Sequence, residues 1–165
     1  MANLSSTLIT NATATPSVST SANAGAPGGL NNTYQPLAVT ASETIGNVLR
    51  FVRVPSNARL TSIILYSDAL GGTTAGDIGV YRTAEDGGAV VDADHFGSGV
   101  SLVSKVAGVE QIFESGVNTV ADIGKPLWDA LGLSADPQTT YDIAITLTAA
   151  VTTPGSIGLA VEFVR

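Results

Sequence analysis

Twice near its C-terminal end the chain alternates apolar with small or polar residues at a period of two. Tyr141, Ile143, Ile145 and Leu147 alternate with Asp142, Ala144, Thr146 and Thr148. Ile157, Leu159, Val161 and Phe163 alternate with Gly158, Ala160, Glu162 and Val164. A period of two puts each apolar set on one face of a strand, whereas a helix would need 3.6. Thr153-Pro154-Gly155 supplies turn chemistry between the runs, so they read as an antiparallel hairpin with one buried face.

The rest of the chain offers further short strands to cover that face. Segments 47–54 and 59–66 are rich in Val, Leu, Ile and Phe and flank Pro55-Ser56-Asn57, which predicts a second hairpin. Shorter strands are predicted at 77–82, 89–92, 99–105 and 109–114, separated by Gly-rich turns. Segment 125–133 breaks the pattern. Pro126 suits a first helical position, Leu127, Trp128 and Leu131 follow, and Gly132 is a natural stop. It predicts one short helix lidding the sandwich, with Trp128 over the core. Eight or nine short strands with turns about every ten residues predict an all-β protein. The expected architecture is an antiparallel β-sandwich, jelly-roll-like, with one short helix and an extended N-terminal arm.

The arm is a matter of charge. Residues 1–42 contain no Asp, Glu, Lys or Arg; the first charged side chain is Glu43 and the first basic one is Arg50. Ala, Ser, Thr, Asn, Gly and Pro dominate this stretch, with too little apolar area to offset chain entropy unaided. The expected division is an arm over residues 1–33 and a β-sandwich body over residues 34–165. The arm's aliphatics Leu4, Leu8, Ile9, Val18 and Leu30 are candidate contacts with a partner. Arg50, Arg53 and Arg59, close together on paired strands, are candidates for ion pairs across an interface.

Composition excludes several function classes. A net charge of -7, with seven dispersed basic residues, argues against a nucleic-acid partner, because phosphate neutralisation needs clustered Lys and Arg. With no cysteine there is neither a disulfide framework nor a thiolate metal site. The sequence shows neither a signal-peptide pattern nor an apolar run long enough to cross a membrane, so no membrane partner is expected. Asp92-Ala93-Asp94-His95 is the one cluster with a metal-like look: Asp92 and Asp94 would share a face if extended, and His95 is the only histidine. Neither the remaining positions of a calcium loop nor a second imidazole or thiolate accompanies them, so no metal and no cofactor are expected. No Gly-x-Ser-x-Gly elbow is present, and the Gly/Thr segment 71–76 lacks the Lys of a phosphate loop. No catalytic residue is assigned.

A series of features, in order, resembles small structural proteins of tailed-bacteriophage particles. Val52-Arg53-Val54-Pro55-Ser56-Asn57-Ala58-Arg59-Leu60 leads into an aliphatic strand. Asp77-Ile78-Gly79-Val80-Tyr81-Arg82 follows. Pro126-Leu127-Trp128-Asp129-Ala130-Leu131-Gly132-Leu133, Asp136-Pro137 and Tyr141-Asp142-Ile143-Ala144 precede a closing strand. Size and the arm make the chain most similar to capsid decoration (cement) proteins. The resemblance implies a virion component without enzymatic activity, made in the host cytoplasm and bound to the capsid surface. Its implied partners are the major capsid protein and copies of itself, as a trimer or other homo-oligomer. A tail or head-fibre component, or a carbohydrate-binding or adhesion module using exposed aromatics, is the alternative.

Overall fold

The structure of the protein, a computed structural model, describes residues 3–5 and 29–165. Its strands are β1 (Asn3–Ser5), β2 (Leu30–Val39), β3 (Val48–Pro55), β4 (Arg59–Ser67), β5 (Ala75–Arg82), β6 (Val90–Ser101), β7 (Val106–Glu110), β8 (Thr140–Ala149) and β9 (Gly155–Val164). They form two sheets, ordered β1-β3-β8-β5-β6 and β2-β9-β4-β7. The last eight strands pair as nested hairpins: β2 with β9, β3 with β8, β4 with β7, and β5 with β6. One long hairpin folded over into two sheets is the jelly roll, as the sequence predicts. β1 alone is parallel, lying against β3 from Asn3↔Val48 to Ser5↔Arg50.

The alternating runs become the two central strands, β8 and β9. Ile143, Ile145 and Leu147 of the first sheet share one buried core with Ile157, Leu159, Val161 and Phe163 of the second. Leu49, Phe51 and Val54 of β3, Ile63 and Leu65 of β4, and Ile78 and Val80 of β5 complete it. Each such side chain contributes about 1.5–3 kcal/mol on burial.

Four local departures from the sequence reading have physical causes. β2 is not among the expected strands. It pairs with β9 over ten residues from Leu30 to Val39, yet its half-buried inward positions include Thr33 and Gln35, so no apolar alternation marks it. Pro36 is tolerated because β2 is an edge strand.

The expected strands at 89–92 and 99–105 are largely one strand, β6. Ile78 pairs with Gly97 and Val80 with Asp92, so two steps along β5 face five along β6. The surplus residues bulge, and the neighbours His95 and Phe96 are both buried, which a regular strand would not allow. The bulge rests on Gly79: a Cβ there would lie 2.2 Å from the Asp92 carbonyl oxygen and 2.3 Å from that of Ala93.

β7 stops at Glu110 instead of continuing to 114. After one last backbone bond, from Gln111 N to the Ile63 carbonyl (2.8 Å), the Glu110 carboxylate takes the Ile63 N–H (2.8 Å) that a longer ladder would use, and it also accepts from Gln111 and Ile112 N (3.1 Å each).

The predicted helix is the single turn α1 (Leu127–Ala130), with Pro126 as its N-cap and Gly132 beyond it at φ 73°. Leu127, not Trp128, is the buried plug, 1% exposed. Backbone bonds from Leu127 N to Ala58 O and from Trp128 N to Ser56 O (2.8 and 3.0 Å) turn Leu127 inward and leave Trp128 half-buried.

Gly79→Ala should therefore cost about 3 kcal/mol, the upper end for overpacking, because backbone and not a movable side chain fills the space. Urea denaturation measures this; a loss below about 0.5 kcal/mol, the range of neutral surface changes, would mean the bulge is not held against β5.

Candidate functional site: an interaction surface

The three arginines have different surroundings. Arg50 is 1% exposed. Its Nη1 donates to Asp142 Oδ2 (3.1 Å) and the Arg82 carbonyl (2.9 Å), and its Nη2 donates to the Gly88 carbonyl (2.8 Å). The guanidinium also sits 5.5 Å from the centroid of the Tyr81 ring. Arg53 stands opposite Asp142 in the β3–β8 register. It donates from Nε to Asp142 Oδ1 (2.8 Å) and from Nη1 and Nη2 to the Glu85 carboxylate (3.2 and 3.1 Å). One buried carboxylate thus receives two arginines, and Glu85 balances the second. These bonds draw Arg50 and Arg53 into the body on the outer face of the first sheet. Partial burial works against the charge on Arg53, but the bonds to Asp142 and Glu85 outweigh it and raise its pKa. The same guanidinium pulls the Glu85 carboxyl below its ordinary value.

Arg59 is exposed, and its Nη1 donates to the Gly124 carbonyl (2.5 Å). Leu30, 63% exposed, opens β2 at the same end of the sheet, since Leu30 and Arg59 both pair with Val164. The loop that Arg59 grips carries Val117, Val120 and Ile123, all exposed, Val120 by 79%. Its backbone is fastened internally. Asp122 accepts from Thr119 N and Oγ1 (2.9 and 2.7 Å) and from Lys125 Nζ (2.8 Å), and Asn118 Nδ2 donates to the Ile112 carbonyl (2.8 Å). Lys125 and Thr119 hold the Asp122 carboxyl far below the usual carboxylate range. The sequence reading missed this loop. Its signal is three aliphatics at spacings of three with no neighbouring apolar run, which marks side chains displayed instead of packed.

Leu4 lies in β1, its backbone beside Leu49. Leu8, Ile9 and Val18 lie outside the described residues. At Asp92-Ala93-Asp94-His95 the β6 bulge places His95 inside, 1% exposed. Its Nδ1 lies 2.9 Å from Asp92 Oδ2, and its ring meets Phe96 edge to face at 4.7 Å. Among the described residues His95 Nε2 is buried without a hydrogen-bond partner. Asp94 lies within the bulge, half-buried. Among the described residues no three His, Cys, Asp or Glu side chains gather as a metal site requires. No helix among them is long and apolar enough to cross a membrane.

Removing Arg50 takes from Asp142 its fully buried cation and from the Arg82 and Gly88 carbonyls their donor, while Arg53 stays paired to Asp142, so Arg50→Ala should lose about 3 kcal/mol, the lower end for breaking a buried pair. Glu85→Gln should lose under about 1 kcal/mol at neutral pH, because its half of the pair is exposed and screened. With its folded pKa depressed, Glu85 contributes stability above its ordinary value of 4.5 and loses it as pH falls through the lower folded value. Urea midpoints of the three proteins across pH 3–7, at low and high salt, check both statements. Equal losses for the two variants would refute the division between a buried pair and an exposed one.

No protein-family profile matches this chain, and neither does any curated protein. Two solved structures do share its fold. A chain of the Cyanophage Pam1 capsid asymmetric unit superposes with a TM-score of 0.52 at 16% identity, over 91% of this chain and 94% of that one. A chain from the capsid of Ralstonia phage GP4 reaches a TM-score of 0.67 at 15% identity, over 99% of this chain and 98% of that one. Coverage so complete on both sides makes this a likeness of whole chains and not of a shared fragment, and at these identities it is a likeness of fold.

Proposed function

We propose that the protein is a non-enzymatic structural component of a phage virion, a decoration or cement protein on the capsid exterior. The observation that carries this reading is the end-to-end fold likeness to a chain of a phage capsid, at a TM-score of 0.67 over 99% and 98% of the two chains. In this reading the jelly-roll body sits on the lattice and bridges neighbouring capsomers, and residues 1–33 make the contacts between subunits.

Two properties of the chain support it. An uncharged arm lies along a partner without burying an unpaired charge, and an extended segment adds to a sheet edge through backbone bonds alone; β1 on β3 is such an addition within the chain. The loop with Val117, Val120 and Ile123, next to Arg59 and Leu30, presents exposed apolar side chains on a backbone turn fastened by the Asp122 bonds. Pre-ordered apolar contacts lose less entropy on binding, and repetition over a lattice multiplies a weak contact into firm attachment.

Deleting residues 2–28 leaves β2 whole and should yield a folded protein that no longer attaches to particles, as read by co-sedimentation. Unchanged attachment would refute the role of the arm. Val120→Asp should leave the melting temperature unchanged and weaken attachment about tenfold, as expected for a contact at the heart of an interface. Gold labelling in electron micrographs should mark heads; labelling of tails or fibres would overturn the capsid assignment.

A further inference from the structure

The outer face of the second sheet carries a recess of about 330 Å³ between Tyr34 and Tyr66, bounded by Asp68, Lys105, Ser156 and Gly158. From its geometry we infer that it is a binding site for a neutral pyranose sugar, such as one unit of a surface polysaccharide. The inference is independent of the capsid assignment.

Both tyrosines are on strands yet exposed, Tyr34 by 49% and Tyr66 by 38%. Their rings stand 5.6 Å apart at 85°, forming a corner. Each leans over a glycine. A Cβ on Gly158 would lie 2.7 Å from the Tyr34 ring, and one on Gly108 would lie 3.1 Å from the Tyr66 ring. Glycine inside a strand weakens it unless something must come close to the backbone there. If the rings served only to cover the glycines, they would seal the surface. Instead a recess remains, at the lower end of the size range of small-molecule sites.

The groups at its rim select the ligand. Lys105 has no ion pair among the described residues. Asp68 is fixed across the strand end: its N donates to Ser156 O and its Oδ2 accepts from Ser156 N, both at 2.9 Å. The other carboxylate oxygen, Oδ1, has no hydrogen bond among the described residues. One fixed anion and one cation on the same rim disfavour a ligand of either net charge. They suit a ring of hydroxyls, each of which both donates and accepts. The aromatic corner suits the apolar C–H face of the same ring, because the face of a tyrosine carries partial negative charge and its hydroxyl stays at the wet end.

The test titrates the full-length protein with maltotriose, cellotriose, chitotriose and a rhamnose trisaccharide, following the amide signals of Gly158 and Gly108 by NMR. Both amides should shift with at least one of the four sugars and saturate with a Kd on the order of 1 mM. Tyr34→Ala should weaken that binding about tenfold with an unchanged melting temperature, and Tyr34→Phe, which keeps the ring, should bind within about threefold of the parent. Three results would overturn the proposal: no shift with any of the sugars, equal shifts in Tyr34→Ala, or saturation by arginine or glycine betaine in place of sugar, which would make the corner a cation site. Loss of particle attachment would leave this outcome untouched, since the titration uses the free protein.

Discussion

Two facing rows of apolar side chains hold this molecule together. Ile143, Ile145 and Leu147 stand at the centre of one sheet, and Ile157, Leu159, Val161 and Phe163 stand at the centre of the other. Every other strand beyond β1 joins by pairing outward from these two. β3 and β5 flank β8, β2 and β4 flank β9, and β6 and β7 finish the sheets. A nested hairpin brings its distant ends together, so most of its contacts are long-range, and it closes only once β8 and β9 meet their partners from the first half of the chain. Because the inner faces supply the cohesion, the outer faces are free to differ, and they differ in a way that bears on function.

The outer face of the first sheet is sealed by the chain itself. Asp142, alternating outward on β8, collects Arg50 and Arg53, and Arg50 reaches on to the Arg82 and Gly88 carbonyls that begin and end the β5–β6 turn. The turn is thereby pulled over Arg50 and Tyr81, both buried. Such a pair adds little net stability over an apolar pair of equal volume, but it tolerates few other arrangements of the turn. Among the described residues the outer face of the second sheet has no comparable cover. Small residues, Gly158 and Ala160, alternate there along β9, and tyrosines from the two flanking strands lean into the space they leave. One face is committed to the fold, and the other is the face on which the proposed sugar site lies.

The alternation in 141–163 carried most of what could be read in advance. It fixes two central strands with opposed faces, and the turn residues between the other aliphatic segments supply the remaining strand number. What stayed hidden follows from the same physics. The inward positions Thr33 and Gln35 carry no apolar signal, so β2 escapes notice although it pairs over its full length. The register shifts along β5–β6 break the period of two, and so nothing in the sequence around Asp92, Asp94 and His95 shows that the histidine is turned inward. Arg50 looks like an outward cation because no local pattern reveals that Asp142, ninety-two positions later, lies within its reach. The recess at Tyr34 and Tyr66 is assembled from β2, β4, β7 and β9. Its residues are far apart in sequence, and only the sheet order makes them neighbours.

The edge of the first sheet ties these points to the arm. Without β1, β3 would expose its outer N–H and C=O groups, a template for any passing strand. Three residues near the start of the chain occupy the half of that edge running from Val48 to Arg50. Beyond them, the β3–β8 register shifts between Arg50 and Val52, and the strand ends at Pro55, so a bulge and a proline blunt the other half. Pairing of this kind uses backbone groups alone, and backbone groups do not distinguish one copy of a chain from another. A charged side chain near that edge would need a counter-charge wherever the strand docked. A sequence with none through residue 42 carries no such restriction, and that freedom, more than any attraction of its own, is what the proposed role of the arm draws on.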